Sequence, residues 1–146
     1  MNKLREVLPG TWQLESRNDV TEAGEPRIDP TLGADPIAIL FHDRTGHFAA
    51  QFMKRDRSSA TVEATVGGAN NSRAVGGYDA YFGSYVVDDA TGEVTQVLLG
   101  SLSKENVGMT VTRRMEVAGD TLTIRLETTA ITGEPVARTL IWKRVG

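Results

Sequence analysis

The chain has 146 residues, 16 Lys and Arg against 19 Asp and Glu, a formal charge of −3, and no cysteine. That length predicts one domain, residues 1–146, with room for a sizeable core. No basic run exceeds two residues, which argues against a nucleic-acid partner, and the missing thiols exclude disulfides, thiolate metal sites and cysteine nucleophiles.

The opening residues MNKLREVLPG lack the apolar core of a secretory leader. The longest fully apolar run, residues 37–41, is far too short to cross a bilayer. A cytoplasmic protein with no membrane partner is therefore expected. Residues 2–8 predict a short amphipathic helix, ended by Pro9-Gly10. In residues 10–16, Trp12, Leu14 and Ser16 alternate with Thr11, Gln13 and Glu15, which predicts a strand with Trp12 inward. Residues 17–36 are polar, hold three prolines and two glycines, and read as a long loop with one strand fragment near Arg27 and Ile28. Residues 37–43 and 46–53 predict a hairpin, with Phe48, Ala50 and Phe52 on one face and His47, Ala49, Gln51 and Met53 on the other. Residues 54–73 read as a mobile loop of weak helical content.

Residues 76–101 are the stretch around which the chain is organised: GGYDAYFGSYVVDDATGEVTQVLLGS. All three tyrosines, Tyr78, Tyr81 and Tyr85, lie in eight of these residues. Asp89-Ala90-Thr91-Gly92 between two β-rich runs signals a hairpin that carries Tyr85. Tyr78 and Tyr81 are three apart, and residues 73–81 are read as a short helix or lid presenting both phenols over a barrel end. A turn or short helix is expected over 102–107. Residues 108–117, 120–128 and 135–144 then alternate as three strands separated by tight turns. About eight strands at regular spacing predict an all-β fold, an up-and-down antiparallel barrel with one or two short helices. It should close by pairing residues 10–16 with residues 135–144.

The ordered set Gly10-Thr11-Trp12, AQFMKRDR, GGYDAYFGSYVVDD, VLLGS, TRRMEV and the final Trp142-x-Arg144 resembles the family of small standalone lipocalin-like domains of bacteria and fungi, over residues 8–145. The resemblance implies an eight-stranded lipocalin-type barrel with an internal apolar cavity. Some members occur beside natural-product biosynthesis genes, which implies a binding or cyclising role in secondary metabolism. With no leader expected and no cysteine for disulfides, an extracellular transport role like that of secreted lipocalins is not expected.

Trp12 and Arg144 are expected to stack at the barrel base, a structural role. Arg113 alternates with Val111, Met115 and Val117, and Arg138 with Val136, Leu140 and Trp142. An arginine on an inward face needs an acceptor. Two readings stand: an internal ion pair with Glu116 or Glu127, or a clamp on a ligand carboxylate or enolate. His42 and His47 flank a turn and are expected to be solvent-exposed, with no metal-ligand spacing. Gln51 is either a hydrogen-bonding group in the cavity or a wall residue. Ser72, Ser84 and Ser101 lack an activating context, and no phosphate loop or nucleotide fingerprint is present.

The function expected is binding of a largely apolar small molecule, with Tyr78, Tyr81, Tyr85, Gln51, Arg113 and Arg138 around it. The alternative is a cofactor-free enzyme, an isomerase, cyclase or lyase, with catalytic candidates Tyr81, Tyr85 and Arg113. No metal and no cofactor is expected. The expected partner is a hydrophobic small molecule, with a homodimer as a further candidate.

Overall fold

Side chains that alternate in and out with period two need a sheet that hides one face, and an antiparallel sheet closed on itself hides it completely. The computed structural model describes residues 3–58 and 69–146 and shows this arrangement. Its strands are β1 (Gly10–Thr21), β2 (Pro26–Arg27), β3 (Ile37–His42), β4 (His47–Met53), β5 (Tyr78–Asp88), β6 (Glu93–Ser101), β7 (Thr110–Ala118), β8 (Thr121–Thr129) and β9 (Pro135–Arg144). The barrel runs β1-β3-β4-β5-β6-β7-β8-β9 and returns to β1 through the antiparallel β1–β9 ladder. β2 pairs with β1 alone, as an extra strand at the rim. The helical content described is α1 (Leu4–Val7) and one 3-10 turn at Lys104–Asn106. None of the described helices is long and apolar enough to cross a membrane.

One barrel end is shut by the N-terminal segment. Trp12 is fully buried, and its Nε1 donates to the Leu8 carbonyl at 2.9 Å. The Arg144 guanidinium lies 4.2 Å from the indole centroid and donates to the carbonyls of Pro9 and Val7. The expected Trp12–Arg144 stack is thus the floor of the barrel, a cation on an aromatic face with its N–H groups taken by backbone. Above it Trp142 meets Phe52 edge-on at 5.7 Å, and Leu98, Leu122 and Val94 fill the space between the walls.

Three expectations change. The helix expected over residues 73–81 does not form. Gly76 and Gly77 adopt positive φ, 61° and 76°, in a turn closed by the Val75–Tyr78 bridge, and β5 starts at once. Such backbone suits a glycine pair entering a strand and cannot continue a right-handed helix. Strand β1 does not end at Ser16 but runs to Thr21. His42 is buried, 2% exposed, because it is inward in β3, while His47 is exposed as expected. Half of the expected mobile loop 54–73, namely residues 59–68, lies outside the described residues.

Candidate functional site

A bulge decides which polar groups enter the barrel. In β1 the register against β9 shifts between Leu14 and Ser16, leaving Glu15 as an extra residue. One inserted residue moves the inward set from even to odd positions. Trp12 and Leu14 face in below it, and Arg17 and Asp19 face in above it. Asp19 pairs across the ladder with Arg138 of β9, which pairs with Leu126 of β8. Arg113 of β7 also faces in, between the outward Thr112 and Arg114. Strand β5 contributes its odd positions, Asp79, Tyr81, Gly83 and Tyr85.

These groups surround an interior cavity bordered by apolar wall (Leu40, Phe52, Met115, Ile124, Leu140, Trp142) and by Arg17, Asp29, Asp79, Tyr81, Gln96 and Arg113. Loop residues Thr31, Leu32, Ser72 and Ala74 border it at the end opposite Trp12. About 50 Å³ of it is open to the centre of a water-sized sphere. That is space for a few waters, whereas drug-sized ligands need roughly 300–1,000 Å³. Arg113 and Arg138 also border a wider, more polar depression of about 500 Å³. Of the two, Arg113 borders both spaces.

The charges within are unequally partnered. Arg138 clasps Asp19 with two bonds of 2.8 and 3.0 Å, and its second contact, Asp29, is at 3.6 Å. Arg17 donates to Asp29 at 3.1 Å. Burial alone would raise the Asp29 carboxyl, but Arg17 and the Thr31 hydroxyl and amide hold it below the usual carboxylate range. Asp29 thereby ties the β2–β3 connection onto the barrel end.

Arg113 is different. It is 6% exposed, and its Nη1 donates to two backbone carbonyls, Asn70 at 2.8 Å and Thr112 at 2.9 Å. Among the described residues no carboxylate lies within 4 Å of it. Burial lowers its affinity for its proton, partly offset by the Tyr81 phenol beside it. Burial in turn raises the Tyr81 phenol, which stays protonated at neutral pH.

Asp79 completes the group. It is 4% exposed; Ser72 Oγ donates to its Oδ2, while Oδ1 has no partner among the described residues. Burial pushes this carboxyl up to about 6, moderated by the Ser72 bond. Among the described residues no cluster of three metal-ligating side chains forms.

With barrel, floor and cavity in place, the comparison with known families is direct. A family model described as a lipocalin-like domain matches residues 9–145, nearly the whole chain. The chain belongs to the lipocalin-like domain family. No curated protein matches it. The lipocalin-like barrel suggests small-molecule binding in its cavity, as the sequence resemblance implied.

The structure brings together some of the residues that the sequence singled out and separates others. Tyr81 and Arg113 meet in the cavity, and Arg138 borders the outer depression instead. Arg138 is paired with Asp19 and Asp29, not with Glu116 or Glu127, which are exposed on outward faces. Tyr78 and Tyr81, expected on one face, point to opposite sides, since three residues along a strand reverse the direction. Tyr78 lies outside, where its hydroxyl donates to Gln51 Oε1 at 2.6 Å and Arg57 covers its ring. Gln51 is thus on the outer wall rather than in the cavity. Tyr85 faces in but below the cavity, edge-on to His42 at 4.8 Å, with its hydroxyl donating to the Asp43 carbonyl. Sequence reasoning missed Asp79, Arg17, Asp29 and Gln96. Asp79 was detectable: it has the same parity as Tyr81 and Tyr85, and reading residues 76–81 as strand would have turned it inward.

Proposed function

We propose that the barrel binds a small, largely apolar molecule whose polar end is a carboxylate, enolate or phenol oxygen held by Arg113 and Tyr81. Arg113 carries the reading: a buried cation on an apolar strand face, with backbone carbonyls but no described carboxylate beside it. A buried charge is stable only when paired, and a ligand anion supplies the pair. The tyrosine adds a donor with an apolar ring beside it. Because the cavity is small, occupation displaces the loop residues at its end, Leu32 and Ala74 among them. A place in secondary metabolism rests on the family resemblance alone.

A second reading, catalysis of proton transfer on the bound molecule, is favoured by Asp79. Its carboxyl, near 6, is matched to neutral pH and borders the same cavity as two donors suited to a developing enolate. The balance is simple: Asp79 takes a proton from carbon adjacent to the carbonyl, the oxygen gains charge opposite Tyr81 and Arg113, and the proton returns to carbon.

Both readings meet in one experiment. An apolar anionic dye, 1-anilinonaphthalene-8-sulfonate, is titrated by fluorescence and competed with medium-chain carboxylates and phenols. Arg113→Met should weaken binding about tenfold or more, as for loss of a charge-assisted hydrogen bond, and Tyr81→Phe by about 1 kcal/mol. Unchanged affinity in Arg113→Met sinks the anchor. Deuterium uptake by medium-chain ketones added as further competitors, followed by NMR, tests the second reading. Asp79→Asn should then slow uptake about a hundredfold with affinity retained.

A further inference from the structure

The outer surface of the barrel is not uniform. On β7 and β8 the outward positions alternate threonine with charge: Thr112, Arg114, Glu116, then Thr123, Arg125, Glu127. On β3 to β6 the outward positions are mostly apolar, among them Ile37, Ile39, Phe41, Met53, Phe82, Val86, Val97 and Leu99; Gln51, Ser84 and Thr95 are polar but uncharged, and no charged residue stands between the strand ends. Cross-strand pairing makes this one surface: Phe41 opposes Ala49, Ala49 opposes Phe82, and Phe82 opposes Gly100. The Phe82 ring lies flat over Gly100, where any side chain would collide with it. A bulge in β6 beside this pair turns Leu99 outward as well. Phe82 is 56% exposed, Leu99 56% and Val86 72%. With the partly exposed Ile37 and Phe41, these side chains form the apolar part of the face, and a standard stable interface buries ~800 Å² of each partner.

The charges around the face are segregated by end. At the end of the β3–β4 and β5–β6 turns stand Asp43, Asp88, Asp89 and Glu93, against Arg44 and Arg5. At the opposite end stand Lys54, Arg55, Arg57 and Lys104, against Asp35, Asp56 and Glu105. Among the described residues the first end is net acidic and the second net basic. A two-fold axis through the centre of the face, near Phe82, lays each acidic end against the partner's basic end and apolar centre on apolar centre.

We infer that the outer face of β3, β4, β5 and β6 is the contact surface for a second copy of this chain in an antiparallel two-fold dimer. A two-fold contact sets the same patch against itself. An uncharged centre meets itself without repulsion, and the polarity of the two ends makes the reversed orientation the attractive one. The dimer leaves the barrel interior untouched, so it is independent of what the cavity holds.

Sedimentation equilibrium on the full chain between 1 and 100 µM tests this. The expected mass is that of two chains. In Phe82→Asp/Leu99→Asp, four carboxylates converge at the axis, and the dissociation constant should rise at least about a hundredfold. Far-ultraviolet circular dichroism reports whether that variant keeps its fold. Val86→Lys alone, which sets a cation against the partner's basic end, should weaken the dimer in the same direction should the double variant fail to fold. Ile131→Asp, exposed in the β8–β9 turn, should leave the mass at two chains. A single-chain mass for the unmodified protein at 100 µM overturns the inference, and so does a dimer unaffected by both Val86→Lys and Phe82→Asp/Leu99→Asp.

Discussion

Replacing Asp79 by asparagine should make the protein more stable, by a margin that grows from the pH at which the unfolded carboxyl ionises and is complete once the native one has ionised. Asp79 is buried, its Oδ2 accepts from Ser72, and its carboxyl sits near 6 instead of 3.8. The native state therefore holds a proton over a window in which the unfolded chain has already lost it. Stability contributed by that proton is complete below pH 3.8 and is lost as pH rises through 6. The gap of roughly two units corresponds to a destabilisation on the order of 3 kcal/mol at pH 7 and above. Asparagine keeps the size and the capacity to accept from Ser72 but cannot ionise. Urea unfolding at pH 4 should give nearly equal free energies for the two proteins. At pH 7.5 the variant should lead by about 3 kcal/mol, with an unchanged slope against denaturant. A variant less stable than the parent at pH 7.5 would refute the reasoning, since the ionised carboxyl would then have to be satisfied by the protein. A gain in stability with loss of turnover would mark Asp79 as a group kept for function at the expense of the fold.

His42 tilts the same pH window the other way. It is buried between Phe48 and Tyr85 with neither ring nitrogen partnered among the described residues, and burial pushes it down to about 3. Its contribution is complete above pH 6.5 and is lost as pH falls toward 3, amounting to about 3 kcal/mol by pH 4.5. His42→Leu should be as stable as the parent at pH 7.5 and more stable by that amount at pH 4.5, read by the same urea titrations. A large loss at pH 7.5 would mean that the imidazole is hydrogen-bonded. Trp12→Ala removes the barrel floor and should cost roughly 3–5 kcal/mol, measured by circular dichroism during denaturation; a neutral result would contradict the Arg144 stack.

What could be read from the chain alone was whatever depends on residues two apart. Phe48, Ala50 and Phe52, or Val111, Arg113 and Met115, declare an inward face by local alternation, and enough such runs with short turns leave a closed antiparallel barrel as the economical solution. Trp12 and Arg144 were legible because each opens or closes a strand that must meet the other. The composition of the site was set at longer range. The extra Glu15 brings Arg17 and Asp19 inside only because β9 holds β1 in that register. Spacing of three between Tyr78 and Tyr81 suits a helix or a strand equally, and pairing with β4 selected the strand. Asp29 reaches Arg17 and Arg138 from a loop whose sequence names no partner. Burial of His42 and Asp79, and the difference between a paired Arg138 and an Arg113 held by carbonyls, follow from which side chains converge across the barrel. Alternation is a property of one strand; convergence depends on eight strands at once, and so only the tertiary structure decided it.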